Sequence, residues 1–229
     1  NENRKKAYIL FTICAILAFL MHSSSIICFA IIFLTRKNLI NIKWVLPISI
    51  LILILNKNIM AIISPIIENT RFNIYLTGKF AQGDLSIITI ARNLIIYVWM
   101  SIIYYYQMKN NDKIEREEIT LLNIQGLTLL FTVSGVIHTQ FMRIMIYFSA
   151  FQILSIPYFF NITKYEKIAQ KIKQKINKDI TAKAIKTITY ICIVIGFTSI
   201  FTYTNILNND NEVLPYKTIF EKYKSEPLD

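Results

Sequence analysis

Cysteine, glycine and proline are scarce in this chain, which has three, five and five of them among 229 residues. The cysteines, Cys14, Cys28 and Cys192, each lie inside an apolar run, and none forms a C-x-x-C pair. Isolated cysteines of this kind are more often small buried hydrophobes than redox or metal-binding groups. A metal or redox site built on cysteine is therefore not expected.

Several catalytic motifs are absent as well. The sequence has no D-x-D for a metal–nucleotide-sugar site and no G-x-x-x-x-G-K-[ST] for ATP. It also has neither H-E-x-x-H nor G-x-S-x-G. These absences argue against a nucleotide-sugar transferase, an ATP-driven pump and a metalloprotease. The residues themselves call for no metal and no other cofactor.

Acidic residues are few, with 14 Asp and Glu against 25 Lys and Arg, which gives a net charge of +11. In a soluble protein this excess would suggest a nucleic-acid partner. Here most of the positive charge lies between apolar runs, where it sets membrane orientation and meets anionic lipid. No surface module of basic and aromatic residues is visible, so nucleic acid is not an expected partner.

Long apolar runs are what this sequence has in abundance. Hydrophobic residues make up 54% of the chain, and the mean hydropathy is +0.45. The runs are continuous rather than alternating, and they approach the roughly 20 residues that a membrane-spanning helix needs. The sequence therefore predicts an all-α, polytopic membrane bundle of about six segments, with residues 1–229 forming a single membrane domain.

The apolar blocks give the predicted segments, of which the first is interrupted. They are Ala7–Leu34, Trp44–Ile67, Leu85–Met108, Ile119–Val133, Ser134–Phe160 and Ala184–Leu207. The sequence MHSSS, residues 21–25, breaks the first block, and basic residues flank the block on both sides. This charge pattern favours a re-entrant pair of half-helices with His22 at its tip. A single long helix, bent at His22, is the alternative.

The lysine-rich segment Asn161–Lys183 gives the strongest topological signal. It has seven lysines against Glu166 and Asp179, a net charge of +5. Such a segment predicts a cytoplasmic amphipathic helix on the membrane surface. The end of the Ser134–Phe160 segment that carries Arg143 then lies outside, together with the polar loop Glu68–Asp84.

Several polar residues converge on the predicted outer side. Arg143 lies near one end of the Ser134–Phe160 segment, which we expect to be one helix, with Tyr147 one turn deeper on the same face. Arg92 lies inside a span, where a cation needs a partner or a wet cavity. Basic groups around an outward cavity suit a diphosphate or another anion. The full set of candidate site residues is His22, Arg71, Tyr75, Asp84, Arg92, His138, Arg143 and Tyr147.

Each of these residues also has an ordinary structural explanation. Arg143 could anchor its helix at the interface, and Arg92 could pair with a carboxylate elsewhere in the bundle. His22 could be a polar helix break, and His138, in a predicted loop, could be incidental.

Four segments, in order along the chain, resemble the EpsG family of exopolysaccharide proteins. They are AFLMHSSSIICFAIIFL, with its H-x-S-A/S pattern; RFNIYLTGKFAQGD; FMRIMIYFSAFQILSIPYFF, with R-x-x-x-Y-F…P; and VLPYKTIF, with PY. The matching positions are His22, Ser24, Tyr75, Arg143, Tyr147, Phe148, Pro157, Pro215 and Tyr216. The resemblance covers nearly the whole chain and roughly the C-terminal two thirds of the family, so we expect this chain to be the C-terminal part of a longer polytopic protein.

That family is similar to Wzy-type polysaccharide polymerases. The resemblance implies a glycosyltransferase of the bacterial plasma (inner) membrane that polymerises undecaprenyl-diphosphate-linked repeat units into capsule, O-antigen or exopolysaccharide. Taken with the polar residues of the predicted outer side, it makes His22, His138 and Arg143 the expected catalytic residues. The expected substrate-binding residues are Arg71, Tyr75, Asp84, Arg92 and Tyr147. The expected partners are the lipid-linked oligosaccharide and membrane lipids, with a chain-length regulator and a flippase as further candidates.

Two other functions fit the same residues. A transporter or flippase of lipid-linked sugars would use the arginines in a cavity that opens to both sides of the membrane. A non-catalytic scaffold of an export complex would tolerate replacement of the outer polar residues.

Overall fold

The computed structural model describes residues 2–21, 29, 42–68, 87–176 and 180–203. These residues contain eight helices and no strand, which confirms the prediction of an all-α protein. The helices are α1 (Glu2–Met21), α2 (Ile42–Glu68), α3 (Ile87–Lys109), α4 (Arg116–Ser134), α5 (Thr139–Ser149), α6 (Gln152–Ile162), α7 (Tyr165–Ile176) and α8 (Ala182–Phe201). They fall into two units, residues 1–163 and residues 164–229.

Helix α4 is the centre of the first unit. Helices α2, α3, α5 and α6 all pack against it, and most of its residues from Leu122 to Ser134 are buried. Helices α3 and α4 run antiparallel, because the Asn93 side chain meets Thr132 near one end and Gln107 meets Glu118 near the other. The α3–α4 pair therefore has one end at residues 87–93 and the other at residues 107–118.

Close packing on α4 depends on Gly126. A Cβ atom at this position would lie 3.3 Å from Val45 Cγ2 of α2 and 3.4 Å from Tyr97 Cε2 of α3. Both neighbours are 1% exposed, so neither has free space to move into. Lipid tails are as apolar as the side chains, so close packing at small residues, more than the hydrophobic effect, holds membrane helices together. Gly126 thus lets three helices approach at one point.

The stretch Ser134–Phe160, which we expected to be one helix, is two. Helices α5 and α6 are separated at Ala150 and Phe151, and the axes of Phe141–Ser149 and Gln152–Ile162 differ by 47°. The two halves pack against different parts of α4 and α3. The Phe148 ring of α5 stacks on Phe131 at 5.5 Å, whereas Gln152 of α6 bonds to α3 and α4. The prediction of a single helix was therefore wrong, although Arg143 and Tyr147 still share α5.

Two helices of the described residues, α3 and α8, are long and apolar enough to cross a membrane, and the α5–α6 pair makes a third if it is one broken span. Helix α4 is not among them, because charged residues in its first turn and buried amides and hydroxyls lower its hydropathy. Helix α2 continues through Asn56–Asn58 without a break in the helix. These findings fit a helical membrane protein, and the number of about six segments remains a prediction.

In the described part of the second unit, α7 packs against α8. Thr181 caps α8 by accepting a hydrogen bond from the Ala184 backbone N–H at 3.2 Å. Helix α8 buries no residue, as expected for a helix surrounded by lipid. The structure confirms a helix in the lysine-rich segment, and its position on the membrane surface remains a prediction.

The charge of the lysine-rich segment leads to a test of topology. We expect a single cysteine at Lys173, an exposed position on α7, to resist a membrane-impermeant thiol reagent in intact cells. Cys14, Cys28 and Cys192 are replaced by alanine in this background. The same cysteine should react after detergent is added, and efficient reaction in intact cells would invert the predicted topology.

The packing at Gly126 leads to a test of stability. Gly126→Leu should lower the free energy of unfolding by about 1–3 kcal/mol or more, because the larger side chain meets Val45 and Tyr97. Gly196→Leu is the matched control, since a Cβ there has nothing within 4 Å. Thermal unfolding of both variants in detergent measures the difference. Equal melting temperatures would show that the three helices do not meet at Gly126.

Candidate functional site

A network of amide and hydroxyl groups joins three helices in the interior of the first unit. Asn93 Nδ2 of α3 donates to Thr132 Oγ1 of α4 at 2.8 Å. Gln152 Nε2 of α6 donates to Asn93 Oδ1 at 2.8 Å and to Gln125 Oε1 of α4 at 3.1 Å. Gln125 Nε2 in turn donates to the Asn93 backbone carbonyl at 3.4 Å. We call Asn93, Gln125, Thr132 and Gln152 the amide network.

The amide network is sealed from its surroundings. Its four members are between 0% and 8% exposed. Burial of an amide without a hydrogen bond costs roughly 1–3 kcal/mol in proteins, so each member holds the others in place. The network lies where α5 ends and α6 begins. It therefore fixes the start of α6 against the half of the α3–α4 pair that contains Asn93 and Thr132.

Arg92 precedes Asn93 on α3 and is half-buried. Its Nε is buried and has no hydrogen-bond acceptor among the residues that the structure describes. A guanidinium within a candidate span is costly unless an anion, a backbone carbonyl or water satisfies it. This donor is thus unsatisfied among the described residues.

His138, Arg143 and Tyr147 follow the end of α4. His138 is in the short connection to α5, is 8% exposed, and its backbone N–H donates to the Ser134 carbonyl at 3.3 Å. Arg143, on the second turn of α5, is exposed, and Tyr147, one turn further along, is half-buried. A guanidinium and a phenol at this spacing share one helix face.

The structure brings some of the predicted site residues to one end of the first unit and leaves others undescribed. Because α3 and α4 are antiparallel and Asn93 bonds to Thr132, Arg92 lies toward the same end of the bundle as His138 and the start of α5. The remaining candidates lie outside the described residues: His22, Arg71, Tyr75 and Asp84. The proposed helix break at His22 is likewise outside them.

Sequence reasoning missed the amide network. The signal was present, because Asn93, Gln125 and Gln152 each interrupt an apolar run. Polar residues inside membrane segments usually face the bundle and bond across helices. Their mutual pairing needed the helix arrangement and could not be taken from their spacing. Among the described residues, no group of three His, Cys, Asp or Glu side chains could hold a metal ion.

The sequence model of the EpsG family matches residues 2–218. The chain belongs to the EpsG family. This confirms the resemblance carried by the four sequence segments. The family is associated with polysaccharide biosynthesis, and the chain is thus an exopolysaccharide-related membrane protein. No curated protein and no solved structure matches it.

The opposite end of this EpsG-family bundle has a buried carboxyl group. Glu118, in the first turn of α4, is 3% exposed and accepts a hydrogen bond from the Glu115 backbone N–H at 3.2 Å. Burial raises the pKa of Glu118, and hydrogen bonds from the Glu115 backbone and the Gln107 amide partly oppose the shift. Glu118 Oε2 and Gln107 Oε1 are buried without partners in the described part of the chain. A proton on Glu118 would give its second oxygen a hydrogen to donate.

The raised pKa predicts that stability depends on pH. The folded protein binds this proton more tightly than the unfolded chain, so stability should rise as the pH falls from above the raised pKa to the ordinary carboxyl value. Glu118→Gln should remove that rise and keep the melting temperature at neutral pH, because glutamine also completes the cap at Glu115. Melting temperatures between pH 5 and 8 measure the effect.

Glu117→Gln is the matched control, since it removes the same charge from an exposed residue of the same turn. This variant should keep the pH dependence of the wild type. If Glu118→Gln and Glu117→Gln follow the same pH profile, the buried carboxyl group does not bind the proton.

Proposed function

We propose that this protein polymerises lipid-diphosphate-linked oligosaccharide repeat units at the outer face of the bacterial plasma membrane. Membership of the EpsG family supports the polysaccharide pathway. The observation that carries the proposal is the buried Nε of Arg92, which has no acceptor among the described residues. An anionic group of the substrate is the acceptor that such a donor would select.

The proposed reaction transfers a growing glycan from its lipid diphosphate to a new repeat unit. A hydroxyl oxygen of the acceptor sugar attacks the anomeric carbon of the donor. The bond between that carbon and the diphosphate oxygen breaks, and undecaprenyl diphosphate leaves with the electron pair. Because the diphosphate is already a good leaving group, the protein's tasks are to position the two sugars and to stabilise charge.

The arginines are assigned to the diphosphate. Guanidinium groups bind phosphate oxygens through two parallel N–H bonds, which fixes orientation as well as charge. Arg143 is exposed at the start of α5, where a lipid-linked headgroup can reach it, and Arg92 lies deeper on α3. Tyr147, one turn along from Arg143, is assigned to the substrate on the same helix face.

Proton removal from the acceptor hydroxyl is assigned to a histidine. His138 lies in the connection between α4 and α5, on the same end of the unit as the arginines. An imidazole can accept a proton as a general base and release it to water afterwards. His22 is the second candidate for this role. Arg71, Tyr75 and Asp84, from the predicted outer loop, are assigned to the sugars.

A transporter of lipid-linked sugars is the rival function, and the break between α5 and α6 favours it. Discontinuous helices near the middle of the membrane often form substrate sites in transporters. The scaffold hypothesis differs from both, since it requires none of the polar residues.

Glycan analysis of a deletion strain separates these functions. A polymerase predicts loss of the polymer while single repeat units remain on the cell surface. Loss of all surface repeat units would instead identify a transporter. Normal chain length with reduced export would favour a scaffold.

Arg143→Lys tests the role of the guanidinium. Lysine keeps the charge but lacks the planar, two-pronged donor. Loss of a charge-assisted hydrogen bond removes about 1.5–3 kcal/mol, and each 1.36 kcal/mol is about tenfold in rate. We therefore expect polymer synthesis to fall by roughly one to two orders of magnitude at matched protein level. Glycan gels and immunoblots measure the two quantities.

Arg116→Lys is the control, because Arg116 is exposed at the opposite end of α4. It should leave polymer length unchanged. Near-normal polymer in Arg143→Lys cells would rule out the bidentate role and leave Arg143 as an interface anchor, since lysine also extends to the interface.

A further inference from the structure

One hydrogen bond joins α3, which carries Arg92, to the start of α6, which directly follows the helix that carries Arg143. Gln152 Nε2 donates to Asn93 Oδ1 at 2.8 Å. Asn93 is next to Arg92 on α3. Gln152 begins α6, directly after the break that ends α5, and α5 carries Arg143. The same Gln152 nitrogen also donates to Gln125 Oε1 of α4 at 3.1 Å.

We propose that the amide network sets the position of Arg143 relative to Arg92, with the Gln152–Asn93 hydrogen bond as the link. This inference rests on the proposed function, in which both arginines hold one diphosphate. Gln152 and Asn93 are then positioning residues, which act through the arginines and do not touch the substrate.

The surroundings of Gln152 make this link specific. Gln152 is 8% exposed and Asn93 is 0% exposed, so water does not compete freely for their amides. Asn93 is itself fixed, because its Nδ2 donates to Thr132 Oγ1 at 2.8 Å, and that hydroxyl donates to the Thr128 carbonyl at 2.6 Å. A fixed acceptor and a buried donor leave the start of α6 one favoured position.

The short break links the position of α6 to the position of α5. Residues Phe141–Ser149 and Gln152–Ile162 form an angle of 47°, and Ala150 and Phe151 keep backbone hydrogen bonds to the preceding turn at 3.1 Å each. Stacking of Phe141 on Phe131, with ring centroids 6.3 Å apart, holds the other end of α5 close to α4. A shift of Gln152 should therefore tilt α5 and move Arg143, which lies about two turns before the break.

Variants of nearly equal volume test the link. Gln152→Met removes the hydrogen bond and keeps an unbranched side chain. Asn93→Leu removes it and keeps a side chain of similar size. If the bond is the link, the effects of the two changes should be clearly less than additive in the double variant, because each single change already removes the shared Gln152–Asn93 bond. Should Gln152→Met fail to reach the membrane, Gln152→Asn, which is one methylene shorter, gives the same measurement.

Distances between spin labels supply a readout that does not depend on activity. Labels at Ile87 and Ile146, exposed positions of α3 and α5, report the arrangement near the arginines in the purified, reconstituted protein without native cysteines. Labels at Ile102 and Glu117, exposed on α3 and α4, form the control pair. Polymer length is measured in cells at matched protein level, for the same variants without labels.

We expect Gln152→Met to shift or broaden the Ile87–Ile146 distance distribution and to leave the Ile102–Glu117 distribution unchanged. Polymer synthesis should fall by up to about 100-fold, because moving a substrate-positioning group by roughly 1 Å can lower an enzyme's rate by this factor. Simple destabilisation would instead lower the protein level and disturb both label pairs.

Three results would overturn the inference. An unchanged Ile87–Ile146 distribution means that the network does not position α5, even if polymer synthesis falls and the proposed function stands. Disturbance of both label pairs means that the network only stabilises the fold. If the Ile87–Ile146 distribution shifts but polymer synthesis stays normal, the relative position of Arg92 and Arg143 does not matter for activity. That result would also argue against the proposed roles of the two arginines.

Discussion

The hydrogen bonds of a few buried amides are the constraint on which this bundle depends. Where water is excluded, an amide that lacks a partner is expensive, so its helix takes the position that provides one. Asn93, Gln125 and Gln152 satisfy one another across α3, α4 and α6. Double-mutant cycles give about 0.6 kcal/mol for an average interhelical hydrogen bond in a membrane protein. Because each such bond adds little stability, the main contribution of the buried amides is to select one arrangement of the helices.

Apolar packing then fills the space around that arrangement. Helix α4 has Gly126 where Val45 of α2 and Tyr97 of α3 pack against it, and Phe131 where α5 stacks upon it. A larger side chain at Gly126 would push Val45 and Tyr97 away. The central helix thus combines a small residue, aromatic rings and hydrogen-bonding groups on different faces. This composition explains why α4 is less hydrophobic than the helices around it.

Much of the fold could be predicted from the sequence, since apolar length and charge determine it locally. Helices α3 and α8 and the helix in the lysine-rich segment follow from the runs themselves. The break at Ala150 and Phe151 could not be predicted, because neither residue is a proline or glycine and the pairing of Gln152 with Asn93 beside it is a long-range contact. Arg92 was identified as a cation in need of an acceptor, and its Nε has none in the described residues. His22, Arg71, Tyr75 and Asp84 remain predictions from sequence and family resemblance.

In the proposed function, the end of the bundle that carries Arg92, His138 and Arg143 binds a lipid-linked diphosphate, and the protein extends the polymer. The most direct test incubates the purified protein in lipid nanodiscs with a chemically defined undecaprenyl-diphosphate-linked repeat unit, and follows glycan length and lipid release by mass spectrometry. A polymerase should produce longer lipid-linked glycans and release one undecaprenyl diphosphate for each unit added. A protein that binds the lipid-linked unit but leaves it at its original length would contradict the proposed function.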